Sequence, residues 1–260
     1  MAELKSLPRN RLLREIPSGV FLRLQPHLRL VSLRPRRILH HARLPIEQAY
    51  FIESGLVSVI APTDQESHGV EGWLIGYEGL VGTPVILGVS SSPHRRTVQV
   101  EGTAWAITAT DLTRIVDESV ELRRVLLRYI HTTLVQTAQV GACNARHPLN
   151  QRLARWLLMA HDRIEEADLP LTQEVIAKML GVRRASVTVA VDDLQQTGAV
   201  CAGRGHITIL DRAKLESLCC HCYGILKTQS PHEAEPLPRV PGRDLRVIRR
   251  NGIEEHLRPG

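Results

Sequence analysis

The stretch that decides the fold is LTQEVIAKMLGVRRASVTVAVDDLQQTGAVCAGRGHITIL, residues 171–210. Thr172 can cap a short helix through its hydroxyl, and Gly181 can end that helix in a left-handed turn. The apolar residues that follow the helical period are Val175, Ile176 and Met179 on the first helix and Val187, Val191 and Leu194 on the second. Two short helices that pack across a glycine turn predict a helix-turn-helix.

A β-hairpin is predicted directly after the second helix. Val200 and Cys201 lead into the turn Gly203-Arg204-Gly205, and the alternating residues 206–210 form the return strand. A hairpin in this place is a wing, so the segment is typical of a winged helix-turn-helix.

The candidate DNA-binding residues lie at three places in this unit. They are Arg183, Arg184, Ser186 and Thr188 on the second helix, Thr172 and Gln173 at the start of the first helix, and Arg204 and His206 in the wing. In a helix-turn-helix the start of the second helix enters the major groove. We expect Arg184 to pair with a guanine edge, and the first helix and the wing to contact phosphates.

The N-terminal half has a different pattern. From about Val20 to Ile107, short apolar runs such as Ala49–Ile52 and Leu56–Ile60 are broken by Gly, Pro, Ser and Asp. Strand-length runs separated by turn residues predict an all-β sandwich or barrel.

A long helix is predicted after the β-rich region, over residues 111–143, with Asp111 as its cap. Its apolar seam consists of Leu112, Ile115, Val116, Leu122, Val125, Leu126, Tyr129, Ile130 and Leu134. A helix of this length with such a seam usually packs against another helix. We therefore expect a homodimer in which Leu126 and Ile130 lie at the interface.

The run from Leu153 to Leu158, continued through the helix-turn-helix to Ile209, resembles the C-terminal half of Crp/Fnr regulators. The β-rich region and the long helix resemble the remainder, so the resemblance covers about residues 20–224. It implies an α+β fold with an N-terminal basic segment (1–19), a cyclic-nucleotide-binding-like β-roll sensor of jelly-roll type (20–110), a dimerisation helix (111–145), a winged helix-turn-helix DNA-binding domain (146–224) and a disordered tail (225–260).

The same resemblance implies the function. We expect a cytoplasmic, homodimeric, sequence-specific transcriptional regulator that binds a two-fold operator in double-stranded DNA, with RNA polymerase as a further candidate partner. No catalytic role, no cofactor and no membrane contact is expected.

The effector is not expected to be cyclic AMP. In the cyclic-AMP-binding members an acidic residue meets the ribose and an Arg-Ser pair meets the phosphate, whereas here Thr83 and Ser92-Pro93 stand at those places. Arg95 and Arg96 lie close by, so Thr83, Arg95 and Arg96 are the candidate effector-binding residues. The recognition helix also departs from the family, because Ala185 and Val189 occupy two of the base-reading positions.

Charge alone does not predict DNA binding. The chain has a formal net charge of +6, but residues 146–214 contain ten Lys and Arg against eight acidic residues. The basic residues Arg29, Arg34, Arg36, Arg37 and Arg43 are interpreted as a solvated face, with contact to DNA flanks or RNA polymerase as the alternative.

Two alternatives remain open. The protein could be a β-roll interaction protein without DNA binding, or a thiol or metal redox sensor that uses Cys219, Cys220 and Cys222. We expect Cys219 and Cys222 to share one helix face and to pack inward as small apolar residues, and we predict no metal site. His40 and His41 are predicted to be solvated.

Overall fold

The computed structural model describes residues 8–63 and 69–228. The N-terminal part contains helices α1 (Arg11–Glu15), α2 (Ser18–Leu24) and α3 (Thr83–Ile86), a 3-10 turn (Gln25–His27) and strands β1 (Arg29–Leu33), β2 (Ile38–His40), β3 (Gln48–Ile52), β4 (Leu56–Pro62), β5 (Gly69–Ile75), β6 (Leu80–Val81), β7 (Arg95–Val100) and β8 (Gly102–Thr108). The remainder contains α4 (Ala109–Glu118), α5 (Val120–Arg146), α6 (Leu149–Ile164), β9 (Asp168–Leu169), α7 (Gln173–Leu180), α8 (Arg184–Gln196), β10 (Val200–Gly203), β11 (His206–Ile209), α9 (Arg212–Leu218) and α10 (Cys222–Thr228).

The predicted α+β fold is confirmed. Two antiparallel four-stranded sheets, ordered β1-β8-β3-β6 and β2-β7-β4-β5, form the β-roll. Alternate residues of their strands meet in a shared apolar core that includes Ile52, Val59, Val98 and Ala104. The roll begins later than expected, because two helices and the 3-10 turn precede β1. Residues 225–228 of the expected tail belong to α10, and residues 229–260 lie outside the described residues.

The predicted single helix over 111–143 is two helices. The chain leaves the helical conformation at Ser119, which has φ −133° and ψ 107°, and the Ser119 hydroxyl then caps α5 by accepting from the Leu122 amide at 3.2 Å. Asp111 lies in the first turn of α4, and Thr108 is the actual cap, because its hydroxyl accepts from the Asp111 amide. Serine and threonine are favoured at such caps, so both boundaries follow from local hydrogen bonding.

The apolar seam of α5 faces the β-roll of its own chain. Leu122, Val125, Leu126 and Tyr129 pack in a core cluster with the N-terminal helix residues Leu12 and Leu13 and the strand residues Leu80 and Trp105. Leu126 is fully buried and Ile130 is 8% exposed. The expectation that Leu126 and Ile130 lie at a dimer interface is therefore wrong, because helical periodicity shows that a face is buried and not what buries it.

The C-terminal helices pack directly on the outside of the roll. The roll residues Leu56, Ile60, Leu74 and Val100 belong to the same buried cluster as the core of the C-terminal part. Within this contact the Trp156 indole N–H donates to Glu71 Oε1 at 2.7 Å, and the Ser58 hydroxyl donates to Glu71 Oε2 at 2.6 Å. Burial raises the pKa of Glu71 to about 7.

The raised pKa of Glu71 predicts a pH dependence of stability. Between the ordinary carboxyl value near 4.5 and about 7, the folded protein holds a proton that the unfolded chain has released. The free energy of unfolding should therefore fall as the pH rises through this window, by on the order of 3 kcal/mol. The variant Glu71→Gln should remove this fall, which denaturant unfolding at pH 4.5–7.5 would measure. Glu101→Gln, at an exposed position, is the matched control. An unchanged pH slope in Glu71→Gln would show that Glu71 is ionised in the folded protein.

Candidate nucleic-acid interface

The helix-turn-helix forms as predicted. The Thr172 hydroxyl caps α7 by accepting from the Val175 amide at 3.2 Å, and Gly181 adopts φ +65° at the turn. Ile176, Met179, Val187, Val191 and Leu194 are buried where α7 and α8 pack together. These contacts hold α8 with its opposite face toward solvent.

The start of α8 presents an exposed polar surface. Arg183 stands at the N-cap position, and Arg184, Ala185 and Ser186 form the first turn, and all four are exposed. The N–H groups at this helix end carry a partial positive charge, which adds to the charges of the two guanidinium groups. The arrangement can bind a polyanion and can offer arginine donors to a base edge.

Thr188 and Gln173 form a pair within the protein. The Thr188 hydroxyl donates to Gln173 Oε1 at 2.8 Å, and Thr188 is half-buried. This bond ties the second turn of α8 to the start of α7. The Gln173 amide nitrogen is then the group of this pair that can donate to a phosphate.

The wing is the predicted hairpin, and β9 extends it to a three-stranded sheet. β10 and β11 pair in register from Val200 opposite Ile209 to Gly203 opposite His206, so Arg204 and Gly205 form the tip. Arg204 is exposed. The His206 ring lies over Gly203, where a side-chain Cβ would stand 2.2 Å from it, so His206 is directed across the hairpin and is half-buried.

Residues 151–218 match the family model of the Crp-like helix-turn-helix domain. The chain carries a Crp-like DNA-binding domain on a Crp/Fnr fold. A putative transcriptional regulator of the Crp/Fnr family from Eubacterium rectale superposes with a TM-score of 0.64 at 20% identity, covering 81% of this chain and 98% of that chain. The regulator FixK2 from Bradyrhizobium japonicum superposes with a TM-score of 0.63 at 17% identity, covering 74% of this chain and 98% of that one. The c-di-GMP-responsive regulator CLP of Xanthomonas campestris gives a TM-score of 0.61 at 16% identity, covering 74% and 99% of the two chains.

At these identities the solved structures establish the fold alone. No curated protein sequence matches the chain. No helix within the described residues is long and apolar enough to cross a membrane.

Two exposed residues of the Crp-like domain were not among the predicted site residues. Ala185 is exposed and Val189 is 62% exposed, and both lie on the outward side of α8. An exposed valine on a recognition helix can pack against a thymine methyl group in the major groove. The sequence signal was a valine that interrupts an otherwise polar helix face.

The roll contributes charge beside the Crp-like domain. The Lys178 ammonium, bonded to Glu174 at 2.9 Å, lowers the pKa of Glu174, with smaller contributions from Arg184 and Arg36. Arg36 belongs to the exposed turn between β1 and β2, so this turn lies near the start of α7. Arg36 of the roll therefore adds positive charge beside the helix-turn-helix, beyond the charges of residues 146–214.

The effector candidates lie in different parts of the roll. Thr83 begins α3 just after β6, whereas Arg95 and Arg96 begin β7 in the other sheet. Arg96 is buried, its Nη1 donates to the His94 carbonyl at 2.6 Å, and burial lowers its pKa to about 10. Within the described residues, no hydrogen bond joins Thr83 to either arginine.

His40 lies beside Arg96 and corrects the prediction of two solvated histidines. His40 is 5% exposed, its Nε2 lies 2.7 Å from the Gln48 carbonyl, and burial lowers its pKa to about 4. His41 is exposed as predicted. His40 is thus a neutral part of the roll core.

A separate polar cavity lies where the roll, α5, α6 and α10 meet. Its volume is about 430 Å³, which is in the range of small-molecule sites. The residues that give it its polar character include Tyr77, Glu78, Tyr129, Gln136, Arg163 and Arg212. This cavity is a candidate site for a small polar molecule, separate from the predicted effector residues Thr83, Arg95 and Arg96.

Gly181 offers a test of how the Crp-like domain packs on the roll. A Cβ on Gly181 would stand 2.9 Å from a methyl group of Val70 on β5, in addition to the strain at φ +65°. Gly181→Ala should therefore lower the free energy of unfolding by more than the roughly 1–2 kcal/mol of left-handed strain alone. Gly205→Ala, at φ +88° with open space around it, is the control that measures strain without a clash. Adding Val70→Ala to Gly181→Ala should restore only the part of the unfolding free energy by which the loss in Gly181→Ala exceeds the loss in Gly205→Ala. Equal losses in Gly181→Ala and Gly205→Ala would contradict this contact.

Proposed function

We propose that the protein is a homodimeric, sequence-specific DNA-binding transcriptional regulator of the Crp/Fnr type, controlled by an effector other than cyclic AMP. The observation that carries this proposal is the exposed start of α8. Arg183, Arg184 and Ser186 face solvent there, on the support of a buried core. A rigid helix with exposed donors at its N-terminal end is the arrangement that base readout requires.

Base reading and phosphate contact are assigned to different residues. Arg184 can pair bidentately with a guanine edge, and Val189 on the same helix can contact a neighbouring thymine methyl group. Gln173, held by Thr188, and Arg204 at the wing tip are assigned to phosphates. Thr172 is engaged as the cap of α7, so the N–H groups of that helix end are its contribution.

A second copy of the chain is assigned to the outer face of α5. Val120, Leu127 and Leu134 are 56%, 45% and 64% exposed, and they recur every seven residues along the helix. A heptad spacing of apolar residues is the pattern of a two-helix interface. This face replaces the one that Leu126 and Ile130 were expected to form.

Control by an effector is assigned to the contact between the roll and the Crp-like domain. Glu71 with Trp156, and Val70 with Gly181, join β5 to α6 and to the helix-turn-helix. A ligand that changed the position of β5 would change the position of the recognition helix. Regulation requires only that the ligand bind the two arrangements with different affinities.

The reading of bases can be tested with Arg184→Ala. This variant should lose about 1–3 kcal/mol of discrimination at one base pair of each half-site, because one bidentate arginine contact is removed. Selection of binding sites from a randomised DNA library, followed by affinity measurements on the selected sites, would detect the change. Arg14→Ala, at an exposed position in α1, is the control and should leave the preference intact. A uniform loss of affinity with an unchanged base preference would remove Arg184 from the base-reading role.

Phosphate contacts should respond differently. Gln173→Ala and Arg204→Ala should weaken binding to all sequences by similar factors. Arg204→Ala should also reduce the slope of log affinity against log salt by about one per half-site, because one cationic contact is lost. Titrations at several salt concentrations measure this slope. A slope equal to that of Arg14→Ala would place Arg204 away from the phosphates.

The dimer can be tested on the outer face of α5. Leu127→Glu combined with Leu134→Glu should give monomers, because association would bury unpaired carboxylates. Leu87→Glu is the matched control, since Leu87 is 56% exposed on the roll. Sedimentation at several concentrations distinguishes the two. A double variant that remains dimeric would move the interface to another surface.

A further inference from the structure

Four side chains with metal-binding atoms meet at the C-terminal end of α5. Cys143 and His147 lie one helical turn apart at the end of α5, Cys220 lies between α9 and α10, and Cys222 begins α10. One ligand atom from each of the four residues lies within 4.8 Å of the other three. The three thiols are buried together as a small cluster.

This cluster differs from the grouping expected from the sequence. Cys219 and Cys222 do not share a helix, because Cys219 ends α9 and Cys222 begins α10. The Cys219 thiol lies outside the group of four and donates to the Glu216 carbonyl at 3.2 Å. The sequence prediction of no metal site considered the cysteines near 220 without Cys143 and His147.

Two of the six distances between the ligand atoms match the edges of a tetrahedron around one zinc ion, and all six are within 4.8 Å. Zinc–sulfur bonds of about 2.3 Å and zinc–nitrogen bonds of about 2.0 Å give tetrahedral edges of about 3.8 Å between two sulfurs and about 3.5 Å between sulfur and nitrogen. The Cys143 and Cys220 sulfurs are 3.5 Å apart, and the Cys222 sulfur is 3.6 Å from His147 Nδ1. Both pairs are within a few tenths of an ångström of the ideal.

Packing alone does not explain the polar groups around the thiols. Simple apolar packing accounts for three buried cysteines but not for a histidine nitrogen directed at one of them. The Gln139 amide nitrogen also donates to the Cys222 sulfur at 3.0 Å. An N–H donor beside a metal-bound sulfur orients the ligand and stabilises its negative charge.

The surrounding charge also suits three thiolates. Three thiolates, a neutral histidine and a divalent ion carry a net charge of −1, which a buried site must balance. The Arg152 guanidinium donates to Asn144, the residue after Cys143, at 3.0 Å. Arg155 is 1% exposed, and within the described residues its Nε has no hydrogen-bond partner. The Arg155 guanidinium lies near Cys219, the residue before the ligand Cys220.

We propose that Cys143, His147, Cys220 and Cys222 form a tetrahedral site for a single Zn²⁺ ion. The ion closes a bridge between the last turn of α5 and the start of α10, so it holds the end of the Crp-like domain on the helix that packs against the roll. A cluster of several iron atoms fits less well, because its ligands bind different irons and need a wider spacing than this group has. The proposal does not depend on DNA binding.

Zinc binding to the full chain, without a tag and kept reduced, provides the test. After removal of metal with a chelator, zinc is titrated in competition with a chromogenic chelator. One equivalent of zinc per chain should bind. Cobalt(II) added instead should give the intense thiolate-to-metal band and the visible bands of tetrahedral coordination. Thermal unfolding with and without zinc should show that the ion stabilises the folded chain.

Single variants identify the ligands. Cys143→Ser, Cys220→Ser, Cys222→Ser and His147→Ala should each weaken zinc binding by about 100-fold or more. Cys219→Ser and the exposed wing variant Cys201→Ser are the matched controls and should bind zinc as the parent does. His147→Cys keeps four ligands, so it should retain zinc and increase the thiolate-to-cobalt absorption. Circular dichroism shows whether each variant folds. If a variant that lacks one ligand does not fold, His147→Cys still tests the site.

Three outcomes would overturn the proposal. The first is less than one equivalent of zinc bound in the competition. The second is loss of zinc in Cys219→Ser to the same extent as in Cys222→Ser. The third is a Cys143–Cys220 disulfide, found by mass mapping, in a chain that binds no zinc once the disulfide is reduced. That result would show that the cluster is a redox-active thiol pair.

Discussion

The buried hydrogen bond between Glu71 and Trp156 is the interaction on which the arrangement of the two parts depends. It lies in an apolar core that continues from the outer face of β4 and β5 into α6, so the Crp-like domain and the roll share one interior. A carboxyl group in such a core is tolerated because it is hydrogen-bonded, and burial raises its pKa to about 7. Because both of its oxygens accept bonds, Glu71 fixes the angle of α6 to the sheet as well as its distance.

The position of the recognition helix follows from that contact. α6 and α7 pack on the roll, and the Gly181 turn lies so close to Val70 that a Cβ there would stand 2.9 Å from a Val70 methyl group. α8 packs on α6 and α7 by its inner face and is left with Arg183, Arg184, Ser186 and Val189 outside. The surface that could meet DNA is therefore rigidly supported by the same residues that hold the domain on the roll. Movement of this surface requires disruption of packed contacts and not a simple loop motion.

The parts that sequence could predict are those with local physical signals. Thr172, Gly181 and the wing turn each produce their structure through bonds to residues nearby in the chain, so their positions followed from spacing alone. Most of the predicted α5 seam is buried, but Leu134 is 64% exposed on the outer face. The partner of the buried part was not identified, because the same leucines can pack on a second helix or on a sheet. The break at Ser119 had a visible signal, a serine followed two residues later by Glu121, within a run of otherwise helical residues. The meeting of Cys143 and His147 with Cys220 and Cys222 depends on how α10 packs on α5, which no local pattern contains.

α5 and α6 together determine how the parts can influence one another. α5 has an inner face in the roll, an outer stripe of exposed apolar residues and a C-terminal end beside the buried thiols. Two residues, His147 and Pro148, separate α5 from α6, which contacts Glu71 through Trp156 and directs Arg152 toward the end of α5. A change in the roll therefore reaches α6 by two routes, one through β5 and one through α5. These routes act on different turns of the same helix, so a change in only one of them would rotate α6 and the attached recognition helix, whereas equal changes in both would translate them. In the proposed homodimer, rotation would alter the spacing between the two recognition helices, to which a two-fold operator is sensitive.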